Sequence, residues 1–140
     1  SLRKNCRKKL TSISKELDIP VSTIFDNLKS FERNGLVEHK ALLNFKKMGY
    51  PFHVVVAIKA DIRKEKDLKE YLALHKNINS IFKIDGDGDY LIEAVFQNYR
   101  EYSSFITNID LCFDLVDKSC YQIENVLQRE DFLCKGKNPL

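Results

Sequence analysis

Apolar residues near the start of the chain recur at the three- and four-residue spacing of amphipathic helices. Ile13 and Leu17 share one face of a first short helix, which Pro20 ends because proline lacks an N–H group. A second helix places four apolar side chains on one stripe: Val21, Ile24, Leu28 and Phe31. It ends at Asn34-Gly35, where glycine takes the left-handed conformation at low cost. The pattern therefore predicts two helices joined by a tight turn.

The arc opposite the apolar stripe of the second helix is polar. At 100° per residue, this arc and its flanks carry hydroxyl, amide and charged side chains: Ser22, Thr23, Asp26, Asn27, Lys29, Ser30 and Arg33. Side chains of these types contact phosphates and base edges in helix-turn-helix DNA readers. Asn27 is suited to adenine and Asp26 to cytosine, but we expect Asp26 to pair locally with Lys29 or Ser30 instead. Two helices packed in a helical core would show the same apolar pattern.

Charge is distributed unevenly along the chain and favours DNA binding. Residues 1–49 contain 11 Lys or Arg against 5 Asp or Glu, whereas residues 50–140 contain 12 against 15. Five basic residues directly precede the helix pair: Arg3, Lys4, Arg7, Lys8 and Lys9. They can neutralise DNA phosphates with release of counterions. The basic segment therefore supports a DNA-binding domain over residues 1–37.

After this domain the hydrophobic pattern changes from helical spacing to apolar strands. Residues 38–49 are predicted to form a linker strand and a turn, which lead to a second domain over residues 50–140. The second domain shows strand and helix segments in this order: strand 53–59, helix 66–76, strand 80–85, turn 86–88, strand 89–96, a helix after Asn98, and strand 116–126. Asn98 is expected to cap its helix, and Glu101 completes a pair of the capping-box type.

The order βαββαβ predicts a ferredoxin-like domain, with a four-stranded antiparallel sheet and two helices on one face. The whole chain is therefore expected to be an α+β protein, with an N-terminal helix-turn-helix (winged-helix-like) domain before the sheet. The strands are apolar on both faces, and two helices cover only one of them. We therefore expect the other face to be buried in a homodimer, with tetramers or octamers of dimers as larger assemblies.

Two motifs resemble those of the Lrp/AsnC, or feast/famine, transcriptional regulators. Residues 17–24 and 32–37 are similar to the turn into the family's recognition helix and to its end, and Gly-Asp-x-Asp at 86–89 is the second match. The resemblance covers nearly the whole chain. It implies a sequence-specific regulator of double-stranded DNA, with a domain that forms dimers and senses an amino acid or related molecule. In such proteins the effector binds near the hairpin, at an interface between dimers, and modulates DNA binding through assembly.

The hairpin between the second and third strands is the predicted effector site: Gly86, Asp87, Gly88 and Asp89. Its glycine N–H groups can bind a carboxylate, and its aspartates can bind an amine, which together suit an amino acid. A structural Gly-Asp turn that only closes the hairpin is the alternative. The residue types alone leave both interpretations open.

Three features depart from the family pattern. Members usually have a full helix before position 10, so we expect the first helix of the domain to be truncated in residues 1–37. Phe25, Asp26 and Asn27 occupy positions that are commonly basic, so the DNA contacts are expected to differ. Gly88 replaces the aromatic residue often found between the two aspartates, which removes a side chain expected near the effector.

Other classes of site find little support in the sequence. The four cysteines are spaced too irregularly for zinc pairs: Cys6, Cys112, Cys120 and Cys134. We interpret them as reduced thiols, with Cys112 and Cys120 acting as small apolar residues, and we predict no metal and no cofactor. The sequence contains no apolar run of membrane-spanning length and no signal-peptide pattern, so we expect a cytoplasmic, prokaryotic protein with no membrane partner.

An enzyme is the main functional alternative. The histidines His39, His53 and His75 are scattered, and the sequence offers no nucleophile beside a base and no phosphate loop, so we predict a protein without catalytic activity. Sirohaem decarboxylase subunits nevertheless share this architecture, and here His53, Arg63 and Arg100 are the residues suited to such chemistry. A ligand-binding or assembly module without DNA binding is a third hypothesis.

Overall fold

The computed structural model describes residues 2, 5–85, 89–132 and 134. Contacts divide the chain into two compact units. The helix unit combines residues 1–42 with 127–140, and the sheet unit comprises residues 43–126. The division falls inside the expected linker, and it groups the described residues after 126 with the helix unit, although the sequence assigned them to the second domain.

Two helices form the centre of the helix unit: α1, Leu10–Leu17, and α2, Val21–Arg33. Asp18 ends α1 in the left-handed conformation, with a φ of 54°, and the Ile19 N–H donates to the Ser14 carbonyl at 3.2 Å. Pro20 then starts α2 with a φ of −55°. The predicted tight turn is thus confirmed, and it spans three residues, 18–20. Proline cannot continue α1, and its fixed φ suits a helix start.

Gly35 ends α2 with a φ of +68°. Its N–H donates to the Glu32 carbonyl at 3.1 Å, and the Leu36 N–H donates to the Phe31 carbonyl at 2.9 Å. These two bonds form a Schellman motif, which satisfies carbonyl groups that the last turn leaves without helical partners. The predicted end of the helix at Asn34-Gly35 is confirmed.

Burial in the helix pair is lower than the sequence predicted. Ile13 of α1 is buried at 3 % exposure, but none of the thirteen residues of α2, all of which the structure describes, is buried. Val21 and Phe31, expected on a buried stripe, are 39 % and 44 % exposed. The expectation fails because α1, with only eight residues, is too short to cover the whole stripe of α2.

Residues 38–44, all of which the structure describes, form no strand. The prediction of a linker strand there was wrong, because apolar residues become a strand only where a neighbouring strand completes the hydrogen bonds. A short 3₁₀ turn, Lys46–Met48, follows and ends at Gly49, which has a φ of +89°.

The sheet unit has the predicted order βαββαβ. Its elements are β1 (Phe52–Ala60), α3 (Glu65–Leu74), β2 (Ile78–Lys83), β3 (Tyr90–Phe96), α4 (Tyr99–Phe113) and β4 (Leu115–Gln122). The strand order across the sheet is β2-β3-β1-β4, and every neighbouring pair is antiparallel. This is the ferredoxin-like arrangement, so the predicted α+β fold is confirmed. The last strand stops at Gln122, four residues before the predicted end.

One layer of side chains between the sheet and the two helices forms the core. Alternate residues of β1 and β3 face the helices, among them Val56 and Ile92, which have no exposed surface. Leu72 of α3 and Ile109 of α4 close the layer from the other side. Asn98 caps α4 as predicted, because its Oδ1 accepts from the Glu101 N–H at 3.0 Å.

The sheet face opposite the helices is mixed. It carries half-buried apolar residues such as Val55 and Leu91, together with Phe82 and Tyr121, which are 54 % and 62 % exposed. This face is therefore less apolar than the sequence predicted, because His53 and Glu93 share it with the apolar side chains.

Cys112 and Cys120 are exposed, which corrects their expected role as small core residues. Cys112 lies outside the buried stripe of α4, which runs through Phe105, Ile109 and Phe113, and Cys120 lies on the edge strand β4. Apolar neighbours in the sequence therefore did not indicate burial at either position.

Candidate DNA-binding face and effector site

The polar face predicted for α2 is presented to solvent. Four of its residues follow the i, i+4, i+7, i+11 spacing of one straight stripe: Ser22, Asp26, Lys29 and Arg33. All four are exposed, as are the flanking Thr23 and Asn27, while Ser30 is half-buried and accepts from the Asn34 amide at 3.4 Å. No side chain caps the start of α2, so the N–H groups of its first turn add further donors near this stripe.

Lys29 does not pair with Asp26. Its ammonium lies 4.5 Å from the centre of the Phe25 ring, one turn earlier on α2, in a cation–π contact. Ser30 bonds to Asn34 instead, and no ion pair or hydrogen bond of the Asp26 carboxylate occurs among the described residues. The expected local pairing of Asp26 was therefore wrong, and its carboxylate is available to an outside donor.

Phe25, which the sequence marked only as a departure from the family's basic positions, lies beside the candidate face. Its ring is 45 % exposed and is held by Lys29 beside the polar stripe. An exposed aromatic ring there can contact a thymine methyl group or a sugar. The i, i+4 spacing of an aromatic and a lysine was the signal that could have identified it.

The basic residues before α1 differ in their partners. The Lys8 ammonium forms an ion pair with Glu16, on the last turn of α1, whereas Lys9 is exposed at the start of α1. The backbone N–H of Arg7 donates to the Asn5 side chain, and Arg7 itself is exposed. Arg3 and Lys4 lie outside the described residues. Lys9 and Arg7 are therefore the described cations of this segment that a phosphate can reach without breaking an ion pair.

Three residues of the predicted effector hairpin, Gly86, Asp87 and Gly88, lie outside the described residues. Asp89 is half-buried, and its Oδ2 accepts from the Ala60 N–H at 3.0 Å, while its own N–H donates to the Ile58 carbonyl at 2.8 Å. The Asp89 side chain thus ties the start of β3 to the end of β1. This bond supports a structural role for Asp89 and uses one of its two carboxylate oxygens.

A small polar cluster at the base of the hairpin was not identified from the sequence. Glu65 at the start of α3 binds the Lys83 ammonium and accepts from the Tyr90 hydroxyl at 2.9 Å. The Lys83 ammonium also lies 4.6 Å from the centre of the Tyr90 ring. The hydrogen bonds from Lys83 and Tyr90 lower the pKa of Glu65, and burial, followed by the bond to Glu65, raises the pKa of Tyr90. This cluster links both strands of the hairpin to α3.

A second polar cluster lies on the open face of the sheet. His53 is 8 % exposed, and its Nε2 lies 2.7 Å from Oε1 of Glu93 on the neighbouring strand. The other oxygen of Glu93 accepts from the Ser80 hydroxyl at 2.8 Å and from the Asn79 amide at 2.5 Å. Phe45 packs against the edge of the His53 ring, with ring centres 5.2 Å apart.

The residues suited to an enzyme have structural partners or lie apart. His53 is held by Glu93, and the Arg63 guanidinium forms a two-point bond with Asp61 that lowers the pKa of that carboxyl. Arg100 is exposed near the start of α4. Burial and the neighbouring Lys76 lower the pKa of His75. Among the described residues, no three His, Cys, Asp or Glu side chains form a group that could hold a metal ion.

A transmembrane helix is likewise absent from the described part of the chain, where every helix is too short or too polar to cross a bilayer.

Sequence comparison connects the chain with transcriptional regulators. It is 28 % identical over 132 residues to an uncharacterised HTH-type transcriptional regulator of Pyrococcus abyssi, covering 94 % of this chain and 89 % of that protein. No protein-family model matches the sequence.

Structural comparison agrees with the resemblance described from the motifs. The Bacillus subtilis LrpC structure superposes with a TM-score of 0.79 at 16 % identity, covering 91 % of this chain and 89 % of that one. A transcriptional regulator of Neisseria meningitidis, solved as a complex with L-Met, superposes with a TM-score of 0.81 at 20 % identity, covering 91 % and 86 %. The predicted resemblance to the Lrp/AsnC regulators is therefore confirmed, with relatives in the helix-turn-helix regulator class and with the fold of LrpC.

Proposed function

We propose that this chain, which has the fold of the Lrp/AsnC regulators, is a sequence-specific DNA-binding transcriptional regulator whose affinity for DNA responds to an amino acid. The observation that carries the proposal is the exposed polar stripe of α2, presented after a three-residue turn and flanked by Phe25. A helix presented in this way fits the major groove of B-DNA. The relatives named as HTH-type regulators support the same function.

Within this proposal, the residues of α2 have distinct roles. Asn27 and Asp26 are the candidates for base contacts, because an amide suits adenine and a carboxylate accepts from cytosine. The remaining candidates bind phosphates and fix the orientation of the helix: Arg7, Lys8, Lys9, Ser22, Thr23, Lys29, Ser30 and Arg33. Lys8 must exchange its Glu16 partner for a phosphate, which is a small cost for an ion pair at the surface.

The sheet unit is assigned the sensing and assembly functions. Its open face, with Phe82 and Tyr121 exposed, fits burial against the same face of a second copy in a two-fold dimer. The hairpin at 86–89 is the candidate effector site at contacts between dimers. The neighbour solved with L-Met supports an amino acid as the class of effector.

An enzymatic function is the weaker candidate. The relatives carry the names of regulators, and the described residues suited to sirohaem-type chemistry, His53 and Arg63, are engaged with Glu93 and Asp61. We therefore propose a regulator without catalytic activity that acts in the cytoplasm of a prokaryote. Absorption spectra with added tetrapyrrole test the alternative, and a spectral change on binding would contradict the proposal.

A salt titration of DNA binding tests the proposed DNA-binding face. We expect Lys9→Ala to reduce the slope of log affinity against log salt by about one unit, because one phosphate contact is lost. Lys66→Ala, which removes an exposed lysine of α3 in the sheet unit, is the matched control and should leave the slope unchanged. Equal slopes for the wild type and Lys9→Ala would remove this basic segment from the interface.

A further inference from the structure

Two phenylalanines of α2 have nearly equal exposure but different surroundings: Phe25 is 45 % exposed and Phe31 is 44 % exposed. Phe31 belongs to the apolar stripe, whereas Phe25 lies about 120° away from it around the helix, at the border of the polar stripe. Lys29 follows Phe25 by one turn, and its ammonium lies 4.5 Å from the centre of the Phe25 ring. The residue one turn after Phe31 is Gly35, which offers no cation. The Phe25 ring is therefore held on the side of α2 that carries the candidate DNA contacts.

The position of Phe25 along α2 also suits a contact with bases. α2 begins at Val21, so Phe25 lies in its second turn. In helix-turn-helix DNA readers, the N-terminal residues of the recognition helix reach base edges in the major groove. Ser22 and Asp26, which are exposed, lie beside Phe25 on this part of the helix. An approach to DNA that brings these polar side chains to the bases therefore brings the Phe25 ring to them as well.

A phenylalanine ring can distinguish one base in the major groove. Thymine alone presents a methyl group there, whereas the other base edges present mainly hydrogen-bond donors and acceptors. A ring packed against the methyl group removes apolar surface from water, which is favourable. The same ring packed against the edge of another base would leave polar atoms buried without hydrogen-bond partners. The ring therefore favours thymine by apolar contact and disfavours the other bases by desolvation.

We propose that Phe25 determines a preference for thymine in the target DNA, through contact of its ring with the 5-methyl group of that base. Lys29 is a positioning residue, because its ammonium holds the ring by the cation–π contact and binds a DNA phosphate at the same time. The inference rests on the proposed sequence-specific binding of DNA. It adds an apolar base contact to the polar base contacts assigned to Asp26 and Asn27.

Replacement of thymine by uracil in the DNA tests the contact, because uracil lacks only the methyl group. The preferred sequence of the whole chain is first selected from a random DNA library, and each of its thymines is then replaced in turn by uracil. Fluorescence anisotropy gives the affinity for each duplex. We expect a loss of about fourfold at each thymine that Phe25 contacts, as for the burial of one methyl group. 5-Bromouracil at the same position should restore the affinity, since bromine has nearly the size of a methyl group.

Variants of the two phenylalanines assign the uracil effect to one ring. Phe25→Ala should bind the thymine and uracil duplexes with equal affinity, because the ring that distinguishes them is gone. Phe31→Ala removes an equally exposed ring from the apolar stripe, so it is the matched control and should keep the full ratio of the two affinities. Lys29→Met should reduce this ratio, and Lys29→Arg should keep it, since arginine also forms a cation–π contact. Circular dichroism checks that each variant keeps its helices.

The same titrations separate failure of this inference from failure of the proposed function. If the wild type binds the selected sequence more tightly than a scrambled one but no uracil alters its affinity, the thymine contact is wrong and the regulator stands. A uracil effect that persists unchanged in Phe25→Ala would also overturn the contact, because it would then arise from DNA shape or from another residue. An unchanged ratio in Lys29→Met would overturn the positioning role of Lys29. Equal affinity for the selected and scrambled sequences would overturn the proposed function and this inference together.

Discussion

The helix unit and the sheet unit differ in how completely they bury their apolar side chains. In the helix unit, Ile13 is buried, whereas Leu17 and Phe31 are 54 % and 44 % exposed. In the sheet unit, thirteen buried residues of its described part form one continuous core between the sheet and the helices α3 and α4. Because buried apolar area is the main source of folding stability, the sheet unit must supply most of the stability of the chain. The helix unit presents exposed side chains, which is what recognition requires.

Local sequence signals define the helix pair, whereas long-range packing defines the sheet unit. Three local features set the ends of the two helices: the left-handed Asp18, the proline at position 20 and the Schellman motif at Gly35. The sheet unit is defined by long-range pairing, with β1 at its centre hydrogen-bonded to both β3 and β4. A change in one unit should therefore have a different consequence from a similar change in the other.

Hydrogen exchange should show the largest difference between the units. We expect amides of α1 and α2 to exchange through local opening at low free energy, whereas amides of β1 and β3 exchange only on unfolding of the sheet unit. Mass spectrometry of peptides after deuterium labelling measures both. Equal protection across the helix pair and the central strands would show that the two units do not differ in local stability.

A truncation in each unit should separate them by stability. Ile92→Ala should cost about 2–5 kcal/mol, because Ile92 is fully buried between the sheet and the helices. Leu17→Ala should cost about 1 kcal/mol or less, since that side chain is already half exposed. Urea unfolding followed by circular dichroism gives both values. A smaller loss of unfolding free energy for Ile92→Ala than for Leu17→Ala would show that Ile92 does not belong to the packed core.

Asn27→Ala tests recognition by the helix unit without touching the core. If Asn27 makes a two-point contact with adenine, the variant should lose about 1–3 kcal/mol of affinity for its preferred DNA. Its affinity for unrelated DNA should stay the same, because no phosphate contact is removed. Urea unfolding should be unchanged, since Asn27 is exposed. An equal loss of affinity for preferred and unrelated DNA would indicate that Asn27 contacts the DNA backbone and not a base.

Two glycines provide a matched pair of backbone tests. Gly35 and Gly49 have φ angles of +68° and +89°, and a Cβ atom would meet no other atom within 4 Å at either position. Alanine at each should therefore cost about 1 kcal/mol through the left-handed conformation alone. In Gly35→Ala the loss should appear as reduced protection of α2, and in Gly49→Ala it should leave α2 unchanged. Loss of α2 protection in both variants would show that the units are not independent.

Low pH should destabilise the polar cluster of Glu65, Lys83 and Tyr90 at the base of the hairpin. We expect this to be the smallest of the effects. Hydrogen bonds from Lys83 and then Tyr90 lower the pKa of Glu65 below 4.5 in the folded protein. The stabilisation of the fold by the ionised Glu65 is therefore present above pH 4.5, and it is lost as the pH falls through the lowered pKa. Lys83→Met should move the pKa of Glu65 back toward 4.5, as measured by carboxyl NMR titration. An unchanged pKa in that variant would remove Lys83 from the cluster.

The features that the sequence predicts correctly depend on residues close together in the chain. The Asn98 cap and the end of α2 at Gly35 each involve a few consecutive residues, and the β1 strand is a continuous apolar run. Burial of the α2 stripe and pairing of residues 38–44 depend on partners elsewhere in the molecule, which the local pattern does not contain. The cluster of Glu65, Lys83 and Tyr90 escaped prediction for the same reason, because separate segments of the sheet unit form it.

The most direct test of the proposed regulator is a fluorescence anisotropy titration of the whole chain on DNA from upstream of its own gene, with and without L-methionine. We predict tighter binding to this DNA than to a scrambled fragment, and a change of affinity of about 5–150-fold with the amino acid, the usual range of coupling between two sites. Equal affinity for the two fragments, or an affinity that no apolar amino acid alters at millimolar concentration, would contradict the proposed function.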